Sequence, residues 1–162
     1  MAARLGRQRV VGYTLNDSLR LRTSLAASLG VPVAEVEAWV LGEHGDRAVP
    51  IFSRVRVGGE PVSLDVDVRI AASEFVRGWY RRHVALDSGR SSTWASGAGI
   101  ARMVAAIVTG SPDPWVASVL LDGEYGLSGA LGVPVTLCPR GVARVLRWEL
   151  APDELAQLSA AR

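Results

Sequence analysis

The 162-residue chain contains no lysine: all 18 of its basic residues are arginine, set against 16 acidic ones for a net charge of +2. That absence excludes Schiff-base chemistry on a lysine and the usual phosphate-loop lysine, and it leaves the guanidinium fork, which suits carboxylates. A single cysteine, Cys138, excludes an internal disulfide; it ends an apolar run and reads as a buried hydrophobe. With two histidines in all, a metal-dependent hydrolase built on His44, Glu43 and Asp46 would be short of ligands. No basic run or arginine–aromatic alternation suits nucleic acid. No stretch approaches a membrane span, and the N-terminal MAARLGRQRVVGY lacks an apolar core of signal-peptide length, so a cytoplasmic protein is expected. A glycine-rich dinucleotide fingerprint is missing too: Gly58-Gly59 reads as a hairpin, and Gly97-Ala98-Gly99 lies inside a helical stretch.

What is present is organised around Val36 to Pro50, VEAWVLGEHGDRAVP. Val36, Ala38 and Val40 alternate with Glu37 and Trp39 before Leu41, the pattern of a mostly buried strand. His44 then stands at a strand end between Gly42 and Gly45, where a loop on a rigid sheet can place a reacting group. Its imidazole changes charge near neutral pH, although a turn histidine with a capping role fits the same residues. Upstream, Asp17 or Ser18 offers an N-cap for a helix over 18–29, with Leu21, Leu25 and Leu29 as its core stripe and Gly30 as its stop. Arg20 and Arg22 fall in the first turn of that helix, where the dipole disfavours them unless they face solvent or bind an anion.

The remaining pattern predicts residues 1–8 as a frayed N-terminus and 9–162 as one domain, since 49% hydrophobic residues suffice for a single core. Expected elements are strands at 9–13, 49–57, 61–64, 115–121, 133–138 and 142–150, with a hairpin at Gly58-Gly59 and a loop over 123–132. Expected helices span 65–88, interrupted at Gly78, then 94–109 and 152–161. Ile70, Phe75, Trp79, Val84 and Leu86 supply apolar positions on the first of these, and His83 reads as a surface residue. Strands in hairpin-like pairs with helices in blocks imply an α+β fold, largely antiparallel strands packed against long helices.

Two of these segments together, NDSLRLR at 16–22 and VLGEHGD at 40–46, resemble the paired signature of the lactate and malate dehydrogenase family, with the family's own interval of 27 positions between Asp17 and His44. Arg9-Val10-Val11-Gly12, Ser91-Ser92-Thr93-Trp94-Ala95, Gly123-Glu124-Tyr125-Gly126 and Gly132-Val133-Pro134-Val135 extend the resemblance in order, over roughly Arg9 to Ala160. It covers the C-terminal, substrate-binding half of that family alone, so the Rossmann half that carries NAD is expected to be absent, together with a mobile-loop arginine. The resemblance implies His44 as proton donor and acceptor, Asp17 as its carboxylate partner, Arg20 as the clamp on the carboxylate of a small 2-hydroxy or 2-keto acid, and Ser92 on the substrate side. It places Ser96 where a bulky aliphatic residue packs on the nicotinamide. GEHGD and GEYG lean toward the lactate-like branch, without separating lactate from malate. Departures accompany it: Asn16 replaces a leucine beside Asp17, and Glu37 stands where the bisphosphate-activated lactate enzymes carry a histidine, with Arg22 matching their arginine. No bisphosphate activation is therefore expected. The reading is an NAD-dependent 2-hydroxyacid dehydrogenase half that needs a Rossmann partner chain or forms a homo-oligomer; the alternative is a non-catalytic relic serving as an interaction module.

Overall fold

Apolar residues on both sides of one strand, Val36–Gly42, let it carry a core on each face, and the molecule is layered about it. The computed structural model describes residues 5–89 and 93–161. Its strands are β1 (Gly12–Tyr13), β2 (Val36–Gly42), β3 (Ala48–Val57), β4 (Glu60–Pro61), β5 (Ser111–Asp122), β6 (Ser128–Cys138) and β7 (Gly141–Val145). Its helices are α1 (Leu15–Leu29), α2 (Val66–Arg77), α3 (Trp79–Ala85), α4 (Thr93–Thr109) and α5 (Pro152–Ala160). The strands form one sheet in the order β1-β5-β6-β2-β3-β4, with β7 on β6, and every pairing is antiparallel. The α+β expectation holds.

Along β2, Val36, Ala38 and Val40 pack with Leu21 and Leu25 of α1 and with Ala72 and Val76 of α2. Leu41 belongs to the other cluster, with Val116, Val133, Val135 and Leu158, and half-buried Trp39 rests against it. The period of two in the sequence thus separates two cores across one sheet. Hydrogen bonds fix α1 on that sheet: Ser18 Oγ accepts the Val40 N–H at 3.0 Å, and Thr14 Oγ1 donates to the Val116 carbonyl at 3.3 Å. At the far end, the buried carboxylate of Glu154 accepts from the Ser53 N–H, the Ser53 hydroxyl and the Ala151 N–H, which docks α5 on β3. Among the described residues no helix is long and apolar enough to cross a membrane.

Several boundaries differ from expectation. Helix α1 starts at Leu15 with Thr14 at its N-cap, so Asp17 and Ser18 lie inside its first turn and bond across to other elements, while Arg20 and Arg22 fall in the second. The expected interruption of the 65–88 helix at Gly78 is present, dividing it into α2 and α3, but α3 stops at Ala85. On this pair Ala72 and Val76 form the buried face, and Ile70, Val84 and Leu86 are exposed instead of core. Strand β4 covers only Glu60–Pro61, β1 only Gly12–Tyr13, and β5 begins at Ser111. The loop expected over 123–132 is confined to its first residues, because Ser128, Gly129 and Ala130 continue β6 through backbone pairing with Asp122, Leu121 and Leu120. Small side chains hid that strand from a reading based on apolar pattern. Beyond β7, residues 146–150 leave the sheet, Cys138 is half-buried, and Arg7–Arg9 form a short 3₁₀ turn whose Arg7 pairs with Glu124 at 3.0 Å. Positions 1–4 of the expected frayed segment lie outside the described residues, as does Ser92.

Candidate active site

Strand β2 ends at Gly42, β3 begins at Ala48, and His44 stands in the loop between them. Gly42 has φ +88°, a region that favours glycine, and a Cβ there would meet the Arg47 carbonyl at 3.2 Å. The loop is braced by Arg47 Nε donating to the Glu43 carboxylate at 2.6 Å and by the Ala48 N–H on the Gly45 carbonyl at 3.1 Å. Glu43 is thereby committed, and among the described residues no group of three metal-type side chains converges.

Asp17, 5% exposed on α1, divides its two oxygens. Oδ2 lies 2.5 Å from His44 Nδ1, and Oδ1 accepts from Arg20 Nη1 at 2.6 Å. Three-residue spacing on a helix places Asp17 and Arg20 on one face, while the strand-end loop brings His44 across 27 positions. A carboxylate on Nδ1 fixes the ring orientation and tautomer and leaves Nε2 for an incoming molecule. The hydrogen bond that Asp17 accepts from His44 holds the His44 pKa above its ordinary value, with the Asp17 charge adding to the rise, against opposing contributions from burial and from Arg20. The imidazole remains 59% exposed, so it is reachable from outside.

Arg20 is held on a second side: its guanidinium carbon lies 3.9 Å from the Trp79 ring centroid. Trp79 in turn stacks on His83, with centroids 4.8 Å apart and an interplanar angle of 9°. His83 is therefore half-buried in an aromatic column, not a solvated surface residue. A cavity of about 290 Å³ opens here, lined by Asp17, Arg20, His44, Asp46, Arg77 and Trp79 among others. Arg20 and Trp79 also border a smaller one of about 190 Å³ that includes Asn16 and Ala95. The guanidinium–indole pair is the wall between them.

Sequence reasoning brings Asp17, Arg20 and His44 together correctly in space, and it missed Arg77, Trp79 and Tyr80 on the same cavity. Gly78 was their signal: a glycine that breaks a helix turns the residues around it toward a different neighbour. Ser96 is placed elsewhere. Its hydroxyl accepts from Asn16 Nδ2 at 2.8 Å, Asn16 Oδ1 accepts from the Tyr13 hydroxyl at 2.9 Å, and Ser96 does not line the His44 cavity. Arg22 donates through Nε to the Ala38 carbonyl at 3.1 Å and covers the Trp39 ring at 4.7 Å, with Glu37 close enough to act on it electrostatically. No strand followed by a glycine-rich turn and a helix occurs among the described residues.

Comparison with known proteins identifies the family and the fold. Residues 14–162 match the model of the lactate/malate dehydrogenase alpha/beta C-terminal domain. Malate dehydrogenase of Halobacterium salinarum is 40% identical over 151 residues, covering 91% of this chain and 49% of that protein. The malate dehydrogenase structure from Salinibacter ruber superposes with TM-score 0.86 at 34% identity, over 96% of this chain and 52% of the other. Lactate dehydrogenase from Eimeria maxima, solved with NADH and oxamate, shares the fold at TM-score 0.90 and 23% identity, over 99% and 53%. The chain spans about half the length of the curated relatives it matches. It belongs to the lactate/malate dehydrogenase family and corresponds to that family's C-terminal domain.

Proposed function

We propose that this chain is the substrate-binding and proton-transferring half of an NAD-dependent 2-hydroxyacid dehydrogenase. The observation that carries the reading is Asp17 bonded at once to His44 and Arg20 on the wall of one cavity. Arg20 holds the carboxylate of the 2-keto acid through its guanidinium fork. His44, whose proton affinity Asp17 raises, gives the Nε2 proton of its imidazolium form to the keto oxygen and takes it back from the hydroxyl in the reverse direction. NAD supplies the hydride that an imidazole cannot, and a Rossmann domain outside this chain supplies the NAD site. Oxaloacetate is favoured over pyruvate by two considerations: curated relatives at 35–40% identity bear the name malate dehydrogenase, and Arg77 lines the cavity with a side chain that makes no ion pair or hydrogen bond among the described residues. A protein of the cytoplasm is proposed from the same relatives.

The test is NADH consumption with oxaloacetate and with pyruvate, by the chain alone and mixed with a separately expressed Rossmann half. Turnover in the mixture that falls about 10²-fold or more in His44→Ala supports the reading. A folded chain with no His44-dependent turnover in either arrangement sinks it. A second reading, an interaction module without catalysis, draws on the exposed apolar face of α4, where Ile100, Val104 and Val108 stand outward. Silent kinetics together with stable self-association would favour it.

A further inference from the structure

On the β5–β7 side of the sheet, three arginines line a cavity that shares no lining residue with the His44 cavity. It measures about 320 Å³ and is lined by Arg7, Arg144 and Arg147 together with Glu124, Val119 and Val142 among others. Arg7 is fixed by the Leu120 carbonyl at 3.3 Å and by Glu124 at 3.0 Å. Glu124 accepts the Asp122 N–H at 2.6 Å, and this bond holds its carboxyl below the usual range, so its charge persists against Arg7. The side chains of Arg144 and Arg147 make no ion pair or hydrogen bond among the described residues. The groove therefore carries an excess of positive charge with two open forks.

Both open arginines sit on a fixed backbone. Arg144 is on β7, paired opposite Thr136. Arg147 is flanked by two anchored neighbours, because the Tyr125 hydroxyl donates to the Leu146 carbonyl at 2.9 Å and accepts the Trp148 N–H at 2.9 Å. Tyr125 itself has φ +58°, a conformation a tyrosine holds only when its surroundings impose it. A segment that leaves the sheet is thus anchored beside a groove lined by three arginines and one carboxylate.

We propose that this groove is a binding site for a small polyanion, a molecule bearing at least two negative charges, such as a phosphate ester or a polycarboxylate. Two planar forks and a third, half-neutralised one match the several oxygens of such a group, whereas a monovalent ion would satisfy a single arginine. Because the two cavities share no residue, its occupant binds alongside a substrate at His44.

Isothermal titration of the whole chain with inorganic pyrophosphate and, separately, with citrate tests the site, with sodium chloride at matched ionic strength as the control. Saturable one-to-one binding of either probe, weakened at least tenfold in R144Q/R147Q and unchanged in Arg77→Gln, supports it; the stronger probe tells phosphate from carboxylate recognition. Three results overturn it: no saturable binding of either probe, equal heats from chloride, or weakening by Arg77→Gln with R144Q/R147Q unaffected. Both arginines are exposed, so unchanged melting temperature of the ligand-free double variant confirms that it is folded, and the single variant Arg147→Glu provides an independent reading.

Discussion

Helices α1 and α4 are both long, and they treat their apolar residues in opposite ways. Helix α1 mixes asparagine, aspartate and arginine with leucine, yet Leu21 and Leu25 are 0% exposed. Helix α4 is the more apolar, with Arg102 its one charged residue, and it leaves Trp94 90%, Ile100 46%, Val104 52% and Val108 67% exposed. Ile100, Val104 and Val108 recur at four-residue spacing, while Gly99, Met103 and Ala106 supply the buried side. Apolarity in α1 reports burial already achieved, and apolarity in α4 exceeds what this domain can cover. A helix apolar on both sides is ordinarily buried on both, which agrees with a chain half as long as its relatives.

The comparison is broken first by deleting core volume. Leu25→Ala in α1 is expected to cost roughly 2–5 kcal/mol in denaturant unfolding, because a cavity opens between α1 and β2. A loss of less than about 1 kcal/mol would mean that α1 is not sealed. Next, Asp17→Asn removes the charge and weakens the charge-assisted hydrogen bond that raise the His44 pKa, and NMR titration of the His44 ring is expected to show a clear fall. A raised folded pKa stabilises fully below the unfolded value of about 6.5, and that contribution disappears as pH rises through the folded value. Wild-type stability should therefore drop across that window above pH 6.5, and Asp17→Asn should flatten the profile; an identical slope in both proteins would dissociate Asp17 from His44. Trp79→Ala, which strips the ring from Arg20, should weaken 2-keto acid binding by about 1 kcal/mol, roughly fivefold, with Trp79→Phe restoring part of it. Smallest is Val104→Asp on the exposed face of α4, expected to change unfolding by under about 0.5 kcal/mol while reducing self-association in light scattering. A large destabilisation there would show α4 to be packed like α1.

Legibility in the sequence followed the same division. The alternation of Val36, Ala38 and Val40 was readable, since a strand's period is a local fact that the core then respects; the pairing of Asp17 with His44, 27 positions apart, was legible only through the family resemblance. The hairpin at Gly58-Gly59 was readable for a similar reason, its residues carrying the turn chemistry themselves. Ser18 misled because a serine near a helix start has two uses, and here its hydroxyl serves Val40 across 22 positions. Ser128, Gly129 and Ala130 carry no apolar signal, so their strand exists only through the ladder with β5. Arg77 and Trp79 were lost for a third reason: the interruption at Gly78 was legible, but which neighbour the residues on either side of it face depends on how the two short helices pack, and that is not written in the local pattern.

On the proposed reading, in which Arg20 holds the substrate carboxylate, the divided carboxylate of Asp17 ties proton uptake to anion capture. Arg20 depresses the proton affinity of His44, and an anion seated on Arg20 offsets that field, so each occupied site raises the affinity of the other by the same factor. A carboxylate ligand should therefore draw a proton from solution as it binds, near the ordinary range of histidine, and its affinity should decline as the medium becomes alkaline. The domain would carry this reciprocity even with no cofactor in reach, as a property of two side chains sharing one buried acid.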